Sequence, residues 1–146
     1  AKLAPPVTTK VTQMVPAAQP PLIDTIEVRD NPGGNVTAFQ NLVEEWNKRQ
    51  YVVRIAGDCW SSCTLFTGVQ KVCVNADAKL HFHAPFIALD GPGGIRGFHP
   101  DRTAKMLAAY PKPIQNWIKT NGGLTEDWIT LKGRELHRLV PICSNK

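Results

Sequence analysis

The chain has 146 residues, 42% of them hydrophobic and 20% charged, and a net charge of +5 at neutral pH. That length supports one domain with its own core, and the composition excludes a disordered chain. No apolar run approaches the ~18 residues that span a bilayer. The basic residues (Lys10, Arg29, Arg54, Arg96, Arg102, Lys119, Arg138) are scattered and not interleaved with aromatics, which argues against a nucleic-acid surface.

Residues 1–21 hold five of the twelve prolines and only two charged side chains. Proline suits neither helix interiors nor central strands, so this stretch is predicted to be an extended arm that lies against its own domain or a neighbouring subunit. Residues 22–146 are predicted to form an α/β domain. LIDTIEV (22–28) reads as a short strand and DNPGGN (30–35) as a turn. From Val36 to Lys48, Val36, Phe39, Leu42, Val43 and Trp46 recur at helical spacing, with Glu44, Glu45 and Lys48 on the other face.

YVVRIAG (51–57) is a β-branched strand, DCWSS (58–62) a turn, and CTLFTGVQ (63–70) a short apolar helix ending near Gly68. KVCVN (71–75) and KLHFHA (79–84) are two further strands, and GPGG (91–94) marks a loop. Residues 99–110 form a helix with Asp101 near its start and Pro111 at its end. PIQNWIKT (113–120) is another helix, with Pro113 in its first turn and Asn121-Gly122-Gly123 as its stop. Residues 125–140 read as helical at their centre, and VPIC (140–143) as a last strand. This alternation predicts parallel β-α-β units in a layered α/β fold.

Four cysteines, Cys59, Cys63, Cys73 and Cys143, form an even set. The spacing lacks the paired C-x2-C knuckles of a zinc site, so two disulfides are the better reading. Three pairings are open. We favour Cys59–Cys63 across a tight turn and Cys73–Cys143 tying the last segment to a strand. Disulfides imply a periplasmic or extracellular location. A start at Ala1 fits numbering from a signal-peptide cleavage site, and removal of an initiator Met would leave Ala1 as well.

Three separated segments carry chemistry. In DNPGGNVTAF the glycine pair lets backbone approach a ligand at a helix start, where exposed N–H groups favour negative charge. The same pair also suits a plain tight turn. GDCWSSCTLF sets serines at a strand-to-helix junction, where the helix dipole stabilises an oxyanion; serine is equally a common helix cap. In KLHFHAP, His81 and His83 share one strand face and either is a candidate base near neutral pH, although strand histidines often serve the core. Trp60 and the glycine-rich 86–99 loop are candidate pocket walls. No metal or other cofactor is expected, since the histidine pair has no third ligand nearby.

Strand–PGG–helix, strand–G-x-x-x-S–helix and strand–His-x-Pro, in that order, resemble the ClpP serine-protease family of the ClpP/crotonase superfamily. The similarity runs over residues 22–140. The C-x-S-x-C form around Ser61 is most similar to small exported, periplasmic ClpP-like proteins. The resemblance implies a ClpP/crotonase-like layered fold and an exported peptidase. Ser61 would be its nucleophile, His83 its base, and the Gly34 and Ser62 backbone N–H groups its oxyanion hole. It also implies homo-oligomers. The family's triad aspartate has no counterpart at the matching point; Asp127, beside Glu126, is the nearest candidate for the catalytic third member.

Two other readings stand beside this one. A catalytically degenerate ClpP-like subunit of a larger extracellular or virion-like assembly, strapped through residues 1–21, fits the missing aspartate. Acyl-CoA chemistry of the crotonase branch sits poorly with an oxidising compartment.

Overall fold

The computed structural model describes residues 24–88 and 96–144; the proline-rich arm and the GPGG loop fall outside them. Strand β1 (Thr25–Asn31) leads into α1 (Val36–Lys48), then β2 (Val52–Trp60) and a 3-10 helix (Ser61–Gly68). β3 (Lys71–Val74), β4 (Lys79–Phe82), β5 (Phe86–Ala88) and β6 (Arg96–Phe98) follow. Helices α2 (Pro100–Ala109) and α3 (Lys112–Thr120), strand β7 (Ile129–Lys132) and α4 (Gly133–Leu139) complete the described chain.

β2 is the spine of the sheet. Its first half pairs in parallel with β3, its second half with β4, and β1 runs parallel along its other edge. β7 closes the order β1-β2-β4-β7 and is antiparallel to β4, so the sheet is mixed. Val53, Ile55, Ala56 and Cys59 of β2 are fully enclosed, as expected of a strand covered on both faces.

α1 forms where its spacing predicts, capped by the Asn35 side chain, which accepts the Ala38 N–H at 2.9 Å. Phe39 and Trp46 lay their rings on Phe66 of the 3-10 helix, with centroids 5.1 and 4.8 Å apart. Burying a ring such as Phe66 stabilises the fold by roughly 2–3 kcal/mol. Leu42, counted with the apolar face, is instead exposed on the helix rim.

Several expectations are corrected. DCWSS does not begin a turn at residue 58: β2 continues to Trp60, because Asp58–Trp60 pair with β4. Residues 125–140 are not helical at their centre. Ile129–Lys132 form a strand because Ile129 and Leu131 pair with Phe82 and Leu80, and the helix begins only at Gly133. VPIC is reduced to an isolated bridge between Ile142 and Val74. The antiparallel pair β5–β6 has no counterpart in the sequence reading.

Both disulfides form as paired above, Cys59–Cys63 and Cys73–Cys143, leaving no thiol for a metal. The second bridge joins residues 70 apart and sits beside backbone bonds in which Val74 N–H donates to Pro141 O and Cys143 N–H to Val74 O, each 2.8 Å. Closing a loop of that length restricts the unfolded chain most. A Cys73→Ser/Cys143→Ser double variant is expected to lose about 2–4 kcal/mol in denaturant unfolding. Intact-mass measurement with thiol alkylation should find no free thiol in the unreduced wild type.

Candidate functional site

Three parallel neighbours, β1, β2 and β4, end on the same side of the sheet, and each sequence segment singled out above follows one of those ends. Asn31 leads to Pro32-Gly33-Gly34, Trp60 to Ser61, and Phe82 to His83. β7 is antiparallel, so its start lies at that side too and sets Trp128 next to His83. Ligands of parallel α/β sheets gather beyond such carboxyl ends.

Ser61 opens the 3-10 helix with φ of 55°, a left-handed conformation that a non-glycine residue adopts at a cost. Three neighbours hold it there. The Cys59–Cys63 bridge spans it. Thr64 donates its hydroxyl to Ser61 O at 2.6 Å, and that hydroxyl also pairs with the Tyr110 hydroxyl at 2.6 Å. Burial pushes the Tyr110 phenol above its ordinary range, so it stays a neutral hydrogen-bonding partner.

The glycine turn lies directly against this junction. A Cβ on Gly33, whose φ is +87°, would fall 2.5 Å from Trp60 O and 3.2 Å from Ser62 N, so only glycine lets the two backbones meet. The Ser62 hydroxyl donates across to Gly34 O. Gly57, the glycine of the G-x-x-x-S spacing, answers to a different demand. Its φ is +64°, and a Cβ there would strike the Asp30 carboxylate, which accepts the Asp58 N–H at 2.9 Å.

Ser61, Ser62, Gly34 and His83 all border one cavity of about 590 Å³, with Pro32, Met106 and Trp128 among its other walls. Ser61 is half-buried, and His83 is only 7% exposed. The imidazole stacks on the Trp128 ring at 3.8 Å, and burial pulls it below its ordinary pKa, favouring the neutral form. α2 supplies Arg102 and Lys105 to the same wall, and no carboxylate among the described residues joins them there. Neither cation enters an ion pair with a described residue.

His81 is not at the cavity. Its Nε2 lies 2.9 Å from Asp58 Oδ1 and its Nδ1 2.8 Å from Thr130 Oγ1. Trp60, expected as a pocket wall, instead stacks on His81 at 3.8 Å. Asp127 is exposed, its N–H donates to Thr125 Oγ1 at 3.1 Å, and it does not line the cavity. Of the 86–99 loop, residues 89–95 lie outside the described chain. Sequence reasoning did not single out Trp128, Arg102 or Lys105 for the site. The aromatic was absorbed into an expected helix, and the two cations look like an ordinary solvated helix face. Among the described residues no group of three or more His, Cys, Asp or Glu is gathered that could hold a metal.

No family model matches the chain, and no curated protein does. Among solved structures the fold is similar to that of a "1510-N membrane-bound stomatin-specific protease" in which a serine is replaced by alanine. The TM-score is 0.58 at 16% identity, over 84% of this chain and 65% of that one. A lysine-to-alanine mutant of the same protease "in complex with a substrate peptide" gives a TM-score of 0.59 at 16% identity, over 84% of this chain and 62% of that one. The present chain thus spans less than two thirds of either neighbour. The likeness is one of fold, a ClpP-like α/β serine-protease fold.

Gly33→Ala is expected to destabilise the fold by roughly 1–3 kcal/mol, since the added methyl meets backbone and φ is positive. Thermal unfolding against Gly34→Ala, where φ is ordinary and the methyl meets only the Phe39 ring, should rank Gly33→Ala as the more damaging.

Proposed function

We propose that this chain is an exported serine peptidase that works through an acyl-enzyme at Ser61. One observation carries the reading: Ser61, His83, Gly34 and Ser62 border a single cavity at the ends of adjacent strands. His83 takes the Ser61 Oγ proton as the oxygen attacks the scissile carbonyl. The Gly34 and Ser62 N–H groups receive the oxyanion; losing one such donor raises a barrier by about 3 kcal/mol. The imidazolium then protonates the leaving amine, and water, activated by the same ring, releases the acyl group. Both disulfides suit an oxidising compartment, and no helix among the described residues is long and apolar enough to cross a membrane.

Lys105 is a second candidate for the base. It borders the same cavity, and the neighbour that holds a substrate peptide is one whose lysine was replaced. Labelling with a fluorophosphonate separates the two. Wild type is expected to label and Ser61→Ala not at all. On the His83 reading, His83→Ala lowers the labelling rate by ~100-fold or more while Lys105→Met keeps most of it; the reverse pattern assigns the base to Lys105. An unlabelled, folded wild type would end the hydrolase reading.

The pH profile follows from burial. His83 lies below its ordinary 6.5, so the neutral base persists at pH 7 and is lost only as pH falls through a lower midpoint. The labelling rate should therefore be flat near neutrality and decline on the acid side, with its midpoint under 6.5.

The basic wall suits substrates with a carboxylate near the scissile bond. Arg102→Glu is expected to cut kcat/KM for an acidic peptide by about tenfold relative to its neutral amide counterpart. Equal losses for both peptides would remove Arg102 from recognition.

A further inference from the structure

We propose that His83 is positioned by an aromatic stack that starts at the Asp58–His81–Thr130 cluster and passes through Trp60 and Trp128. The role assigned to His83 rests on the hydrolase reading above; the packing does not.

The strand register builds this stack. Trp60 pairs with His81 across β2 and β4, and His81 pairs with Thr130 across β4 and β7. Asp58 lies two residues before Trp60 and so shares its face. Phe82 pairs with Ile129, which brings the next residues along, His83 and Trp128, together beyond the strand ends. Four rings then follow in contact. His81 and Trp60 stack at 3.8 Å and 19°, Trp60 meets Trp128 edge-on at 5.0 Å and 82°, and Trp128 stacks on His83 at 3.8 Å and 30°.

The far end of the stack is fixed in direction. One His81 ring nitrogen, Nε2, pairs with the Asp58 carboxylate and the other, Nδ1, with the Thr130 hydroxyl. Both ring nitrogens being used, the imidazole plane cannot turn, and it gives Trp60 a fixed surface. Trp128 needs such backing because it is 45% exposed and without Trp60 would be at liberty to swing into solvent. Arg102 and Lys105 of α2 border the same cavity as His83, and the Trp128 indole covers one face of the imidazole and keeps water from that face. Asp58, His81, Thr130 and Trp60 do not line the cavity; they are positioning residues that act through Trp128.

The test reads the ring contact itself as well as activity. In wild type, NMR should show nuclear Overhauser contacts between the Trp128 indole and the His83 imidazole. In Trp60→Leu these contacts should be lost, the His83 titration midpoint should move up toward 6.5, and fluorophosphonate labelling should slow by ~10-fold or more. Trp60→Phe, which keeps a ring, should restore most of all three. Thr130→Val, at an exposed position, frees one His81 nitrogen and serves should Trp60→Leu fail to fold; it should move the midpoint in the same direction by a smaller amount. Retained contacts and an unchanged midpoint in folded Trp60→Leu, or an unchanged midpoint in Thr130→Val where only that variant folds, overturn the proposal. A wild type that does not label but whose His83 contacts respond as expected sinks the hydrolase reading and leaves the stack standing.

Discussion

The pairing of β2 with parallel neighbours on both edges is the constraint on which the site depends. A strand's side chains alternate, but its end is a single point, and parallel strands in register put their ends side by side. β1 and β4 flank β2 toward its carboxyl end, so a glycine turn, a serine and a histidine separated by dozens of residues along the chain reach one cavity. No one of the three loops has to be long. Each needs only to leave its strand at the right residue.

Precision at that edge comes from close backbone approach and from locked geometry. Gly33 lets the turn rest on the Trp60 carbonyl, and Ser62 ties back to Gly34, so the turn and the serine junction are joined at two points. Ser61 is held in a left-handed conformation by the one disulfide that spans it, Cys59–Cys63, and by the Thr64–Tyr110 pair. Strain of this kind persists only where the surroundings over-determine it. α1, docked through Phe39 and Trp46 on Phe66, carries the glycine turn at its start and fixes it against the same 3-10 helix.

The sheet's two senses have different roles. The parallel strands deliver the glycine turn, Ser61 and His83, while antiparallel β7 delivers a packing group, Trp128, to the same side. The ClpP-like likeness extends to the fold of the stomatin-specific protease neighbours, at an identity too low to carry residue roles across. Within this chain the cavity has a cationic wall from α2, and burial lowers the pKa of the His83 imidazole that borders it.

The residues by themselves determined whatever depends on local chemistry: α1 from its 3.6-residue period, α3 from Pro113 and the Asn121-Gly122-Gly123 stop, the glycine turn, and two disulfides from an even cysteine set. They misjudged residues 125–140, where a short strand flanked by helix formers has no periodic signal long enough to read, and where only pairing with β4 makes Ile129–Lys132 extended. Strand alternation by itself did not separate His81 from His83; only the His-x-Pro resemblance placed the base at His83. Both lie on one face, but the last paired residue of β4 is Phe82, so His81 is enclosed within the sheet while His83 emerges beyond it. Where a strand ends, and therefore which of two like side chains meets the cavity, is set by the partner strands; that information is distributed over distant parts of the chain and exists only once they pack.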